Sequence, residues 1–537
     1  MRNFYKFRFR IRKVKKIDTI TFLVFIFSLF WSKEFLYLFY NSTEGPDVSK
    51  YLIYIDSFFE NKSSGRDHGF LYYYLHAIYL DINNFNYFLN RSYLDTMIQN
   101  VNFLIYIYGL IGYYKLLKFF KFKNNYIFLT LFFLNFFPPL LALRLSFKPE
   151  ILAFSLLPWI ILLLEKYTVA GNARYLYLTI PFLVSILSLK GNIFVITTVY
   201  LLIFYIQKIF LKEKKIFLYA VIFSILIFSF LTLENNKFNS KSLFDIQSGS
   251  EEELNYNFKA SPTVTYKVDL FKLFSSPIKH NHANSFIAIT LLETNGDYFD
   301  LFWDNNSSGF FKDRIDLVNF YITNKIAPPT VNLSNYEIRI PQQNNTDVYV
   351  RETLGFIIST YLFFMLLKGI FFEKKFKKFY YGVIVGMAVL LFHSISGIPK
   401  NNFDPNVGDT FKPLYYSFVM VLSFVFLIIK NLEVKRNFKY LLFVYPLLIF
   451  FILGFPKNYS YEIQKDLVPK VTNSQFCEFE KNYFLDNSNF YEIECVNKFK
   501  ENNSNTKFEI VNHKPINLLT IIALFVSSIY LLFKKIE

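Results

Sequence analysis

The sequence is short of charged residues and of cysteine for a chain of its length. Only 18% of its 537 residues are charged, whereas about 25% is usual in soluble domains, and 53% are hydrophobic. The two cysteines exclude a disulfide-built scaffold, and the abundance of large apolar residues excludes a disordered chain. No internal repeat is evident. These properties indicate a polytopic membrane protein.

The net charge of +17 and the 70 Phe and 40 Tyr residues need an explanation of their own. A basic chain can indicate a nucleic-acid partner, and aromatic side chains can indicate binding sites. Phe, Tyr, Ile, Lys and Asn also have AT-rich codons, so part of this excess reflects coding bias. The positions of the basic residues decide what the charge means.

Runs of mostly apolar residues predict an all-α polytopic membrane protein with about twelve transmembrane helices, because a spanning helix needs about 20 such residues. The predicted spans are 17–40, 94–117, 126–146, 151–166, 175–189, 191–209, 216–233, 354–372, 379–398, 413–429, 440–455 and 516–533.

The connections between these spans alternate in charge. Half of the 58 basic residues lie in short connections and termini, namely 1–16, 115–123, 166–174, 208–215, 368–378, 430–439 and 534–535. The positive-inside rule assigns this set to the cytoplasm, together with both chain termini. No small-residue cleavage site follows the first span, which favours an uncleaved anchor in an inner (plasma) membrane. The lysines then follow topology and anionic headgroups, so no nucleic-acid partner is expected.

The long connections divide the chain into five predicted parts, each named here by its numbers. Residues 1–233 form an N-terminal membrane module whose first outer loop is 41–93, and 234–353 form a small mixed α/β outer insert. Residues 354–455 carry four more spans, 456–515 form a second outer loop, and 516–537 form the last span and tail.

The outer segments also contain candidate cross-links and metal ligands. Cys477 and Cys495 lie in the last outer loop, where either a disulfide or free thiols are compatible with the compartment. His280 and His282 could hold a metal on a strand, but no third ligand is evident, so the sequence predicts no metal site.

The first outer loop offers an acid and two cations close to the membrane surface. Asp47 begins an amphipathic stretch typical of an interfacial helix, where it could be a helix cap or a general base. Arg66 and His68 precede a second, aromatic stretch at 70–80 and could contact a lipid phosphate or simply lie at the interface.

Two short outer turns add further charged residues. Arg144 and Lys148, two candidate substrate-binding cations, cluster with Glu150 between predicted spans three and four. Glu150 could cap the fourth span or act as a second acid in the same cavity as Asp47. Lys190, between spans five and six, could contact phosphate or extend to the interface as lysines often do.

This arrangement resembles the membrane glycosyltransferases of the GT-C superfamily, in the branch of protein mannosyltransferases and aminoarabinose transferases. The matching features are Asp47 in GPD, Arg66 before an aromatic run and Glu150 in FKPEILAF. The similarity covers about 17–212 in order and topology. The chain departs from the family where Asp67-His68-Gly69 replaces the usual Pro-Pro, and no Glu adjoins Asp47.

The resemblance implies an inverting transfer of a sugar from a polyprenyl-phosphate donor to a lipid, glycan or protein acceptor on the outer face of the bilayer. It implies Asp47 as the base, and Arg66, Lys148 and Lys190 as contacts of the departing lipid phosphate. No cofactor is certain, and a divalent metal is left open. Residues 296–314, rich in acids and aromatics, and Asp404 and Asp409 are further candidates for the sugar site.

Three other functions stay open. A polysaccharide polymerase or ligase would share the general plan, although such proteins usually depend on outer Arg and His residues in late loops. A lipid-linked sugar flippase or other transporter would place polar residues or helix breaks at mid-membrane. A non-catalytic assembly or sensor protein would tolerate the loss of Asp47.

Overall fold

The protein is described by a computed structural model in which fifteen α-helices are defined. The described residues are 16–39, 54–55, 58–59, 69, 71–83, 91–206, 268–275, 277, 282, 285–296, 345–396, 413–435, 437–453 and 515–533. Within these ranges there is no strand, so the all-α prediction holds for the described part of the chain.

The helices are numbered in chain order, and they are joined by two shorter helical pieces. They are α1 Lys16–Phe39, α2 Leu71–Asn83, α3 Arg91–Phe119, α4 Asn124–Asn135, α5 Pro138–Leu145, α6 Glu150–Ala170, α7 Ala173–Leu187, α8 Gly191–Leu201, α9 Leu270–Ser275, α10 Phe286–Asn295, α11 Asn345–Phe372, α12 Lys377–Ser396, α13 Ser417–Val434, α14 Phe438–Leu453 and α15 Pro515–Phe533. A π-helical segment, Leu202–Ile206, extends α8, and a 3₁₀ turn, Pro413–Tyr416, precedes α13.

Four of the described helices are long and apolar enough to cross a membrane. They are Thr19–Leu36 within α1, α6, Val350–Phe372 within α11, and Pro413–Val434, which joins the 3₁₀ turn to α13. Helices α4 and α5 meet at 60° and make a fifth if the bent pair counts as one broken span. These apolar helices support a membrane protein.

The prediction of twelve spans is not supported. Other predicted spans form apolar helices of 10–17 residues, and the 15 residues of α7 rise only about 22 Å, against about 30 Å of hydrocarbon. Helix α3 has the length, but polar side chains such as Asn102 and Lys115 lower its hydropathy. The predicted span 216–233 lies outside the described residues.

The mixed α/β insert predicted for 234–353 is not supported either. Its described residues form α9, α10 and the start of α11, and none of them is in a strand. Helix α10 packs on α11, where Asn295 Nδ2 donates to Ser359 Oγ at 3.0 Å, and Tyr445 of α14 donates to Asn295 Oδ1 at 2.7 Å. An apolar run, FIAITLL, lets this segment pack against the helix bundle instead of folding as a separate outer unit.

Helix α6 is the centre of the bundle, since 94% of its span is buried by protein. It packs against α3, α7 and α13. The α3 backbone approaches closely at Gly109, where an added Cβ would lie 2.6 Å from the Phe154 ring and 2.9 Å from Ser155 Cα. Small residues allow such close helix packing in membrane proteins.

Aromatic rings fill much of the space between helices. Phe379 and Phe426 stack with ring centroids 3.9 Å apart, and Phe120 meets both rings edge to face. At least this part of the aromatic excess packs the helices against one another.

Candidate functional site

One end of the bundle gathers two of the charged turns that the sequence singled out. The Gly69 N–H, just before α2, donates to the Leu189 carbonyl at 3.0 Å, in the turn between α7 and α8. The rings of Tyr72 and His76 on α2 pack against Phe147, in the turn between α5 and α6, at 5.7 and 4.9 Å. Gly69 therefore touches one turn and helix α2 the other.

An ion pair joins these two turns. Lys190 Nζ lies 2.9 Å from Glu150 Oε1, and the Glu150 side chain is completely buried while that of Lys190 is 19% exposed. Glu150 is the first residue of α6, where the helix dipole favours a carboxylate. Its second oxygen, Oε2, has no hydrogen-bond partner among the described residues.

The ring of Tyr415, in the 3₁₀ turn before α13, adjoins two lysines. Lys190 Nζ lies 4.8 Å and Lys148 Nζ 5.8 Å from the centroid of this ring. Asn192 Nδ2 donates to the Tyr415 carbonyl at 3.2 Å, which ties the 3₁₀ turn to the start of α8. The aromatic face favours nearby cations, so two ammonium groups share one wall beside the Glu150 carboxylate.

A buried amide supports the turn that carries Glu150. Asn102 Nδ2 on α3 lies 3.3, 3.2 and 2.9 Å from the carbonyl oxygens of Leu143, Arg144 and Ser146. Its Oδ1 accepts from the Tyr72 hydroxyl at 2.9 Å. We call Tyr72, Asn102, Lys148, Glu150, Lys190 and Tyr415 the Glu150 site.

Burial sets the protonation of the α2 side chains beside this site. Burial and then the nearby Glu150 charge raise the pKa of the Tyr72 hydroxyl well above its usual range. Burial lowers the pKa of His76 to about 3, so this ring is neutral at ordinary pH. His76 Nδ1 lies 2.9 Å from the Tyr72 carbonyl, and the neutral ring can donate this proton.

Arg144 lies in a separate network inside the bundle. Its guanidinium donates from Nη1 to Ser32 at 3.0 Å and from Nη2 to the Asn135 carbonyl at 2.8 Å, and stacks 4.7 Å from the Tyr106 ring. Asn135 in turn donates to Ser28 at 2.7 Å. These contacts brace the bend between α4 and α5, so Arg144 lies apart from the Glu150 site, and a substrate-binding role for it stays a prediction.

Three predicted site residues, Asp47, Arg66 and His68, lie outside the described residues, and so do Asp404 and Asp409. The same is true of 297–314 and of Cys477, Cys495 and His280. His282 is described and buried. Among the residues described, no group of three or more His, Cys, Asp or Glu could hold a metal ion.

Sequence reasoning missed Tyr72, Asn102 and Tyr415. Asn102 is a polar residue inside a predicted span, which is a recognised signal of a buried contact. Tyr72 and Tyr415 gave no such signal, because 40 tyrosines are spread along the chain.

The Glu150 site combines a buried carboxylate, two cations and an aromatic wall, a set that can hold an anionic group next to a hydrogen-bond acceptor. In comparisons with known proteins, no family model, curated protein or solved structure matches this chain.

Proposed function

We propose that the protein is an integral membrane glycosyltransferase that moves a sugar from a polyprenyl-phosphate donor to a lipid, glycan or protein acceptor. The Glu150 site binds the donor phosphate at the end of the bundle where α2, the two charged turns and Tyr415 meet. In this proposal that end faces away from the cytoplasm, at an inner (plasma) membrane, with both termini on the opposite side. Nucleotide sugars stay in the cytoplasm, which is why the donor is lipid-linked.

The observation that supports this proposal most is the Glu150–Lys190 pair beside Lys148 and Tyr415. The ammonium groups of Lys148 and Lys190 lie along one wall of the site, and cations of this kind bind the negative charge of a sugar-phosphate diester. The ammonium of Lys190 is partly exposed, so an anion can reach it. The buried Glu150 carboxylate behind it keeps Lys190 in place.

The proposed transfer is a direct displacement at the anomeric carbon of the sugar. The acceptor oxygen bonds to this carbon while the bond to the donor phosphate oxygen breaks, which inverts the configuration. The acceptor proton passes to a carboxylate, for which Asp47 is the proposed base. The lipid phosphate leaves with the bonding electron pair, and its charge is stabilised by Lys148, Lys190 and, in this proposal, Arg66.

The test uses purified full-length protein in mixed micelles with a panel of radiolabelled polyprenyl-phosphate sugars and cell-envelope extract as acceptor. Release of polyprenyl phosphate is followed for the unmodified protein and for Lys190→Gln and Asp47→Asn. Each variant should lose about 100-fold or more in rate, because each removes a group that acts on developing charge.

Lys378→Gln is the matched control. Lys378 also pairs with a buried glutamate of α6, Glu165, and its side chain is equally exposed at 19%, but it lies at the opposite end of the bundle. Its variant should retain transfer within about threefold. Equal losses in Lys190→Gln and Lys378→Gln, or no release by the unmodified protein with any donor, would contradict the proposal.

Transport of a lipid-linked sugar is a second candidate, which the bent α4–α5 pair favours. Broken helices and intramembrane charges are typical of transporters, and Arg144 is a buried charge beside this bend. The same donors in liposomes distinguish the two functions. Movement of intact donor between leaflets without release of polyprenyl phosphate would favour the transporter.

A further inference from the structure

We propose that helix α2 is a positioning element for the Glu150 site, which acts through Tyr72 and Asn102 on the turn that carries Glu150 and through Gly69 on the turn that carries Lys190. The inference rests on the proposed function, because α2 positions the residues that are proposed to bind the donor phosphate. The proposal gives a role to Gly69, Tyr72 and Asn102, which make no hydrogen bond to the side chain of Glu150 or of Lys190.

Asn102 holds the last turn of α5. The final carbonyls of a helix have no partner within the helix, and Asn102 Nδ2 lies within 3.3 Å of two of them, those of Leu143 and Arg144. It also lies 2.9 Å from the carbonyl of Ser146, the residue that follows α5. The Asn102 side chain is fully buried, so water does not replace it. Glu150 begins α6 only four residues after Ser146, so this bond set limits where α6 starts.

Tyr72 fixes which way the Asn102 amide faces. Its hydroxyl donates to Oδ1 at 2.9 Å, while the amide nitrogen faces the three carbonyls. A flipped amide would set its oxygen against those carbonyls, and the hydroxyl proton would face an N–H₂ group. Tyr72 is fully buried and also packs on Phe147, so α2 is joined to the Glu150 turn by ring contacts and, through Asn102, by hydrogen bonds.

Gly69 joins the same helix to the Lys190 turn. Its N–H donates to Leu189, and an added Cβ would lie 1.6 Å from the Ser188 carbonyl oxygen, a distance that no side chain could occupy. Gly69, two residues before α2, therefore contacts the residue immediately before Lys190, while α2 itself reaches the turn before Glu150 through Asn102. The spacing of the two partners of the ion pair depends on α2.

The experiment measures how fast Lys190 and Lys148 react with a hydrophilic amine-acylating reagent, by peptide mass spectrometry on the full-length protein in detergent. The test variant is Tyr72→Phe, which keeps the ring and removes only the hydroxyl. The matched control is Tyr106→Phe on α3, because the buried Tyr106 hydroxyl also donates to an asparagine Oδ1, that of Asn135, at 2.9 Å.

Tyr72→Phe should raise the labelling rate of Lys190 about threefold to tenfold, which is the population change expected on loss of one buried hydrogen bond. Tyr106→Phe should leave this rate within about 1.5-fold, although both variants lose a bond of the same kind. Equal acceleration in both variants would show general loosening, and no acceleration in Tyr72→Phe would show that α2 does not hold the turn. Either result overturns the inference.

An Asn102→Ala variant, alone and with Tyr72→Phe, extends the test to the other half of the contact. If the two residues act as one unit, the double variant should accelerate labelling no more than Asn102→Ala alone. Additive effects would contradict the coupling. Labelling requires no turnover, so a failed transfer assay with accelerated Tyr72→Phe labelling would overturn the proposed function and leave the positioning role intact.

Discussion

Helix α6 carries a buried glutamate paired with a lysine near each end, and the two pairs differ in what surrounds them. Glu150 pairs with Lys190, and Glu165, about 22 Å away along the helix, pairs with Lys378. At the far end, Glu165 Oε1 also accepts from the Tyr205 hydroxyl at 2.6 Å, which ties the π-helical segment to α6.

The two pairs differ in the further hydrogen bonds and charged neighbours that each glutamate and lysine has. The Glu165 pair is closed by a tyrosine hydroxyl, and the Tyr200 hydroxyl donates to the Lys378 carbonyl at 3.3 Å. The Glu150 pair has a second lysine nearby and a carboxylate oxygen with no partner among the described residues. The extra hydrogen bond at Glu165 suits a purely structural contact, whereas a second lysine beside the Glu150 pair suits an anionic ligand.

Removal of each lysine should give the largest effect and the sharpest comparison. Lys190→Met leaves the fully buried Glu150 without its partner and should destabilise the protein by about 3 kcal/mol. Lys378→Met should be milder, at about 1–2 kcal/mol, because Glu165 keeps the Tyr205 hydrogen bond. Thermal unfolding in detergent measures both. A second substitution, Glu150→Gln, should recover part of the Lys190→Met loss, and no recovery would contradict the pairing.

Substitution of two glycines near opposite ends of α6 should change the free energy of unfolding by an intermediate amount. Gly69→Ala should destabilise by about 2 kcal/mol or more, because the new methyl group must displace the Ser188 carbonyl. Gly171 follows α6 in a left-handed conformation, with φ of 64° and open space around it. Gly171→Ala should therefore cost only about 1 kcal/mol, and Gly171→Asn less. A larger loss at Gly171 than at Gly69 would contradict the close approach of α2.

A further effect concerns pH and the α2 end alone. The pKa of His76 is lowered to about 3 in the folded protein, so below pH 6.5 the unfolded state binds a proton that the folded state does not. Stability should fall as pH drops from about 6.5, with a slope of up to about 1.4 kcal/mol per pH unit from this residue. His76→Gln should flatten the curve between pH 6.5 and 5. Parallel curves for both proteins would show that His76 is not held neutral.

The helical fold class and the presence of charged residues in short turns could be predicted from local sequence. Apolar runs predicted helices, and Glu150 was predicted at the start of the span 151–166. The number of spans could not be predicted, because α7 and α14 are as apolar as spanning helices but shorter. The insert was also misjudged, since nothing local to FIAITLL says whether it packs on its own loop or on α11.

The amino-acid sequence by itself determined that this chain is helical, rich in apolar residues, and carries Lys148, Glu150 and Lys190 in short turns, because periodicity and charge are local properties. Only the tertiary structure decided that Glu150 meets Lys190, that Tyr415 adjoins both lysines, and that Arg144 contacts Ser32 and Asn135 instead. Those pairings join residues from 9 to more than 200 positions apart, and they depend on how α6 packs among its neighbours.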